Sequence, residues 1–392
     1  MFLDLTPEQK ELRDELREYF AGIVTPAYSE EMSTSEGGGP EWTRVLRKLG
    51  ADGWLGIGWP REYGGQGRTP MEQFLFFDEA MRAGVVLPFL SVNSVGPALM
   101  QFGTEQQKKE FLPRILRGEI TFAIGYTEPS AGTDLASLRT TAVRDGDDWV
   151  INGNKVYTSG AEYSEYVWLA ARTDPAAKKH KGISMFIVDT KLPGFRATPI
   201  RTVGSFRTNS TYFEDVRVPA SMLVGGRENE GWTMITTQLN HERVALMSVG
   251  LVDRLLEDVT RWARDTRRPD GTRVVDTPWV QSALARVYAK LDVLRLLNWK
   301  QAWAIGRDSL NFADASTVKV FGSEFYVEAY QLLLEVVGAA GVLKRGSRGE
   351  ILQGRLERMY RSTLILTFGG GTNEVQRDII AMAGLMMPRS LR

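Results

Sequence analysis

The sequence predicts an α+β protein in which two helical regions flank a β domain. Three observations predict it. Apolar residues recur at helical spacing up to about residue 120, short β-branched and aromatic runs follow, and the helical period returns after Gly231. The expected divisions are an N-terminal helical domain over 1–120, a middle β domain over 121–225 and a C-terminal helical bundle over 226–392. A chain of 392 residues is long enough for two to three domains of ~150 residues each.

Thr6, Pro7 and Gln9 have the order of an N-cap, a first-turn proline and a capping-box partner. Leu12, Leu16, Phe20 and Ile23 then fall on one helical face, and Pro26 closes the segment. "GPEWTRVLRKLG", "PMEQFLFFDEAMRAG", "VGPALMQFG" and "TEQQKKEFLPRILRG" continue the pattern, with "GWLGIGWPREYGGQGRTP" between them as a long Gly/Pro loop. Five runs then read as strands: "ITFAIGYTE", "WVINGNKVYT", "EYVWLAART", "GISMFIVDT" and "STYFEDVRVP". Asn152-Gly153 is a hairpin signal. The last third reads as long helices: "GWTMITTQLNHERVALMSVGLVDRLLEDVTRWA", "TPWVQSALARVYAKLDVLRLLNWKQAWAI" and "FADASTVKVFGSEFYVEAYQLLLEVVG".

Composition excludes several kinds of chemistry. Lys+Arg 48 against Asp+Glu 48 leaves no net charge to attract nucleic acid or a membrane surface. Cys 0 removes disulfides, thiolate nucleophiles and thiolate metal sites, and His 2 leaves too few imidazoles for a histidine metal centre. Reaction chemistry therefore falls to carboxylates, hydroxyls, backbone amides or a bound cofactor. "MFLDLTPEQKELRDEL" has no apolar h-region and no run of ~18 apolar residues stands out, so a cytoplasmic protein without a membrane span is expected.

Four segments carry candidate chemistry. "LTFGGGTNEVQRDII" runs three glycines, Gly369 to Gly371, into Thr372 and a helix former, the pattern of a backbone loop that a phosphate or cofactor approaches. "AIGYTEPSAGTDLASL" leaves a strand through a bend that is either a satisfied Ser/Thr turn or a ligand-facing loop with hydroxyls at Thr127 and Thr133. "NGNKVYTSG" puts Tyr157 and Ser159 at a strand's end, an aromatic and a hydroxyl suited either to a planar ring or to a core. "AAKKHKG" is a basic loop, either a solvated hairpin tip or a contact for phosphates.

TEPSAGTDL, the NGxK-aromatic-x-Ser strand and GGTNEVQR, in that order over essentially the whole chain, resemble the acyl-CoA dehydrogenase flavoproteins. Within them "GWPREYGGQGR", "LRTTAVRDGD", "QLNHERVAL" and "ILTFGGGTNEVQRDII" are similar to the actinobacterial group that oxidises the CoA-activated side chain of cholesterol. The resemblance implies the acyl-CoA dehydrogenase fold, FAD as cofactor, and α,β-dehydrogenation of a 3-oxo-4-cholestene-26-oyl type of CoA thioester to the trans-2-enoyl-CoA. It implies that Tyr126, Thr127, Gly132 and Thr133 line the flavin, Thr133 also near the thioester. Tyr157 would lie against the ring system, Ser159 would bond near its reactive edge, and Thr372 and Glu374 would touch FAD from the C-terminal loop. Glu335 to Ala339, with Gly338, stands where relatives use Gln-x-x-Gly-Gly to contact a neighbouring subunit's FAD, so Glu335 is a departure.

Most of the family carries its base in a Glu-Gly-Thr triplet, and this chain has Gly370 there. By that likeness the Gly370 N–H would still donate to the thioester oxygen, because that role needs no side chain. A branch that includes the isovaleryl- and long-chain enzymes carries the base on the helix that here reads "LNHERVALMSVGLV", and by that likeness Glu242 is the base. Burial at the edge of an apolar run, expected to be one continuous helix through Val252, would raise its pKa toward working pH. Arg243 is a candidate for substrate binding, whereas His241 reads as a packed or surface histidine, the alternative being a group that positions Glu242 or CoA.

Homotetrameric relatives also carry an Arg-x-x-Phe-Gly turn, which "RWARDTRRPDGTRVVDTPWVQ" lacks; Arg267 or Arg268 is the alternative for its role. The expected partners are an acyl-CoA substrate, an electron-transfer acceptor and a second, homologous subunit in an α2β2 heterotetramer. Competing readings are a branched-chain or fatty acyl-CoA dehydrogenase and an inactive assembly subunit.

Overall fold

A computed structural model describes residues 3–204, 206–243, 247–307 and 309–388, with the backbone alone at 239–243. Six helices come first: α1 (Pro7–Ile23), α2 (Pro26–Met32), α3 (Pro40–Ala51), α4 (Pro70–Ala83), α5 (Gly96–Phe102) and α6 (Glu105–Leu116). Seven strands follow: β1 (Phe122–Gly125), β2 (Thr141–Asp145), β3 (Asp148–Val156), β4 (Tyr166–Arg172), β5 (Ile183–Asp189), β6 (Phe195–Arg201) and β7 (Arg207–Pro219). The C-terminal part holds α7 (Gly231–Arg243), α8 (Gly250–Asp265), α9 (Pro278–Ile305), α10 (Phe312–Val337), α11 (Arg355–Thr363) and α12 (Asn373–Ile379). This is the three-domain architecture expected from the change of period.

Local chemistry accounts for the helix starts. Thr6 accepts from the Gln9 N–H while Gln9 reaches back, a closed capping box, and Thr69 with Glu72 and Thr104 with Gln107 repeat it. Each such cap contributes ~1 kcal/mol by satisfying amides that the helix itself leaves unpaired. The Gly/Pro segment between α3 and α4 is a loop with two single 3-10 turns; Trp54, Leu55, Ile57 and Trp59 drive its first part into the core, whereas 60–69 stay exposed or half-exposed.

The sheet is mixed, with strand order β1-β4-β2-β3-β7-β6 and β5 on the other edge of β4. One edge of β4 is shared by two strands: β1 pairs in parallel with residues 166–169, and β2 meets it only at Arg172. The chain between them, 126–140, leaves the sheet at that split. Alternate residues of β4 face two cores: Trp168 and Ala170 join the N-terminal helices, whereas Val167, Leu169 and Ala171 pack with Trp149, Phe186 and Val216. Burial on both faces is why "VWLAA" reads as a continuous apolar run. A third core lies within the C-terminal helices, around Val252, Val287, Leu291, Phe325 and Tyr330.

Three expectations need correction. β2 and β6 were not among the expected strands; β2 is five residues long with only Ala142 and Val143 apolar, and β6 has no buried residue, so neither gives a β signal of its own. Asn152-Gly153 is no hairpin: it lies inside β3 at a register shift, where Asn152 bonds Asp215 and a Cβ on Gly153 would stand 2.4 Å from the Thr140 hydroxyl. The turn joining β2 and β3 is Gly146-Asp147. The long helix expected through Val252 is interrupted, since Met247–Val249 lie outside any helix and α8 begins at Gly250. The segment Phe312–Val342, which contains α10, is long and apolar enough to cross a membrane, by length and composition only. Its Val318, Phe325, Tyr326, Ala329, Tyr330 and Leu333 are instead buried in the third core.

Candidate active site

The excursion between β1 and β2 is built around a buried ion pair. Lys155 of β3 donates to a Glu128 oxygen at 2.9 Å and to the Tyr126 carbonyl at 3.1 Å, with the lysine fully buried and the glutamate 5% exposed. Glu128 also accepts from the backbone N–H groups of Arg139 and Thr140 at 2.6 and 2.8 Å, closing the loop on itself. Burial works to raise the Glu128 pKa, but Lys155 and these donors outweigh it and hold the carboxyl below its ordinary range. Arg172, from β4, donates to the Ala136 and Leu138 carbonyls and pins the return of the loop. The result is a rigid base whose outer residues, Pro129, Ser130, Gly132 and Thr133, stay exposed.

Tyr157 extends this base. The Val156 N–H donates to the Thr127 carbonyl at 2.8 Å, so the end of β3 lies beside the start of the loop. Tyr157 has φ +62°, a left-handed conformation uncommon for an aromatic residue, and its ring is 65% exposed. Thr158 turns inward to the Thr211 hydroxyl, and Ser159 turns out again, 3.1 Å from Thr208. A large flat side chain held open at a strand's end, beside hydroxyls and backbone polar groups on a rigid loop, fits a planar ring system such as the FAD isoalloxazine.

The first loop is tied to the C-terminal domain. The Tyr126 hydroxyl donates to Gln238 of α7 at 2.5 Å, both residues being buried. Position 242 lies one helical turn beyond Gln238 on the same backbone face of α7. The helix thus brings the expected base to the part of the molecule that carries the loop; the side chains of His241, Glu242 and Arg243 lie outside the described residues.

The glycine loop forms a second platform. Gly370 and Gly371 have φ +69° and +92°, conformations that glycine adopts without strain, and Thr372 caps α12 by accepting from the Val375 N–H. Lys319, wholly buried in α10, donates to the Gly371 carbonyl at 2.7 Å and to Asn373 at 2.8 Å. Gln376 donates back to the Gly370 carbonyl at 3.2 Å. The loop is thus held by the carbonyls of Gly370 and Gly371 and, at its start, by the Gly369 N–H, which donates to the Ile365 carbonyl at 2.7 Å. Glu374 is exposed in the first turn of α12, and bonds from its own N–H and from Thr372 hold its carboxyl low.

Thus Tyr126, Thr127, Tyr157 and Ser159 form one group, with Gly132 and Thr133 on its exposed loop, while Gly370, Thr372 and Glu374 share the second platform. Glu335 and Gly338 do not join them. Glu335 lies sixteen residues beyond Lys319 on the same helix, about 24 Å at 1.5 Å per residue, and it is exposed. Sequence reasoning missed Lys155 with Glu128, Gln238 and Lys319. The available signal was a charged residue inside an apolar run, as in "STVKVFGSEF". The basic loop is exposed at Lys178 to Lys181, His180 stacks edge-on with Trp232 at 4.6 Å, and Arg267 bonds the Gly271 carbonyl of its own turn.

Comparison with known proteins gives three successive family matches: the acyl-CoA dehydrogenase N-terminal domain over residues 6–119, the middle domain over 123–216 and the C-terminal domain over 229–385. Acyl-CoA dehydrogenase FadE26 of Mycobacterium tuberculosis is 53% identical, with all of both chains covered. FadE29 of the same organism is 50% identical over 99% of each. The crystal structure of the ChsE4-ChsE5 complex from Mycobacterium tuberculosis contains a chain with TM-score 0.94 and 54% identity, covering 100% of both chains. The Tcur3481-Tcur3483 steroid ACAD gives TM-score 0.93 and 52% identity at the same coverage.

Proposed function

The chain belongs to the acyl-CoA dehydrogenase family, FAD-dependent oxidoreductases acting on CH–CH bonds, and from that premise we propose that it dehydrogenates a steroid side-chain CoA thioester of the 3-oxo-4-cholestene-26-oyl type, with Glu242 as the α-proton base. The carrying observation is the Tyr126–Gln238 bond, which ties the first binding loop to α7 one turn before position 242. The C-terminal loop offers a glycine where a base would otherwise stand. Likeness over the full chain to a steroid ACAD supports the substrate class.

In this reading Tyr126, Thr127, Gly132, Thr133, Tyr157 and Ser159 hold FAD on the β-domain side, and Thr372 and Glu374 hold it from the glycine loop. Bound FAD supplies the two-electron oxidation, accepting hydride from the β-carbon. Glu242 takes the α-proton, the Gly370 N–H stabilises charge developing on the thioester oxygen, and Thr133 and Arg243 orient the substrate. Removal of water from the site keeps the carboxylate basic enough for the task.

A second, homologous subunit completes the cofactor site in an α2β2 heterotetramer, since Glu335 and the turn without Phe-Gly make this chain's own donated half unsuited to a pyrophosphate. The ChsE4-ChsE5 complex supports that assembly by analogy. An electron-transfer acceptor reoxidises the flavin.

The test is stopped-flow flavin reduction with Glu242→Gln, assayed against steroid and straight-chain acyl-CoAs. Substrate is expected to bind normally while reduction slows by roughly 1,000-fold or more. Near-normal reduction would remove Glu242 from the mechanism, and a higher kcat/KM for octanoyl- or palmitoyl-CoA would move the substrate to a fatty acyl chain.

A further inference from the structure

The break between α7 and α8 is held from three sides. Asp78, on α4, accepts from the Ser248 hydroxyl at 2.6 Å and from the Gly250 N–H at 3.0 Å, closing the start of α8. Asn298, on α9, donates to the Met247 carbonyl at 2.7 Å, and Tyr326, on α10, donates to the Ser248 carbonyl. Met247, Ser248, Asn298 and Tyr326 are each 3% exposed or less. The crossing is close: a Cβ on Gly250 would stand 2.2 Å from the Asp78 carbonyl, and one on Gly322 would stand 2.7 Å from Met247. A non-helical stretch of three residues with this many buried partners is a built junction rather than a frayed end.

We propose that Asp78 is a positioning residue for the dehydrogenation, fixing through Ser248 and Gly250 the junction that follows the helix of Glu242. The inference rests on the reading of Glu242 as the base. A base must meet its proton within hydrogen-bonding reach, and an error of about 1 Å in its helix costs on the order of 100-fold in rate. Asp78 touches neither loop of the active site; it acts through the backbone of 248–250.

The surroundings of Asp78 give the effect a pH signature. Among the described residues, Glu79 beside it on α4, Asp253 on α8 and Tyr326 on α10 interact with its charge. Arg17 is engaged with Glu79, and Arg82 and Arg295 with Asp253. Burial, then Glu79 and Asp253, push the Asp78 carboxyl up to about 6, against its donors Ser248 and Gly250. Below that pH the carboxylate is protonated and becomes a weaker acceptor for two donors at once.

The experiment compares Asp78→Ala, Asp78→Asn and Ser248→Ala in the flavin-loaded enzyme, by stopped-flow flavin reduction with the steroid-CoA between pH 5 and 9. Asp78→Ala is expected to slow reduction roughly 10–100-fold with flavin content and substrate affinity retained, and Ser248→Ala to slow it in the same direction. Asp78→Asn keeps an acceptor and is expected to recover most of the rate at pH 8 while losing the acid limb expected of the parent enzyme near pH 6. Wild-type reduction rates in Asp78→Ala would overturn the proposal. So would a loss of flavin and substrate binding in proportion to the rate, which marks general packing. If Asp78→Ala does not fold, Ser248→Ala decides by the same criteria. Failure of the base reading is seen separately, as normal reduction by Glu242→Gln, whatever the Asp78 variants do.

Discussion

Glu36 is a carboxylate in an unfavourable place. Burial, followed by the like charge of Glu162, pushes it up to about 7, and Arg358 opposes them only in part. Its folded pKa lies above the unfolded value near ~4.3, so the folded state binds the extra proton between those limits. Its contribution to stability is therefore full below about pH 4 and lost as pH rises through 7. Glu36→Gln, which mimics the protonated form, should raise the melting temperature by a few degrees at pH 8 and by much less at pH 5. Thermal unfolding at the two pH values checks this; an equal shift at both would assign the effect to packing.

At the scale of elements, the loop between β1 and β2 depends on Lys155 and Glu128 more than on its own turn residues. Lys155→Met would leave Glu128 buried with backbone donors but no countercharge, an expected loss of about 3–5 kcal/mol. The double change Lys155→Met with Glu128→Leu should be less damaging to stability than the single one, because no charge is then buried alone. Denaturant midpoints measure both, and flavin content should fall in each as the loop loses its brace. The Glu128 contribution has the opposite pH sign to that of Glu36. It is present above the unfolded carboxyl pKa and lost as pH falls through the depressed folded value.

At the scale of the whole molecule, large apolar side chains on either side of the glycine loop and α12 in the chain are left exposed. Ile365 and Phe368 before it, and Leu385, Met386 and Met387 after α12, are all large and exposed. Exposed side chains of this size are suited to a subunit interface, as the heteromeric proposal requires. Expressed alone, the chain should be poorly soluble or low in flavin; co-expressed with its homologous partner it should give two FAD per four chains. Size-exclusion chromatography with flavin quantitation decides. A yellow, active homotetramer with one FAD per chain would rule the heteromer out.

The amino-acid sequence by itself determined the order of domains, the capped helix starts and the segments that form the candidate site, because these depend on residue spacing and on short-range hydrogen bonding. Thr6 with Gln9 and the face of Leu12, Leu16 and Phe20 needed no partner elsewhere in the chain to be read. Tertiary structure alone decided the rest. Asn152-Gly153 became a bulge because Thr140 and Asp215 lie across from it, and the helix through Val252 broke where Asp78, Asn298 and Tyr326 offer its backbone other partners. Lys155 finds Glu128 from 27 residues away and Lys319 finds Gly371 from 52. Local propensity carries no information about pairings over such distances; the fold creates the low-polarity surroundings that make each of them decisive.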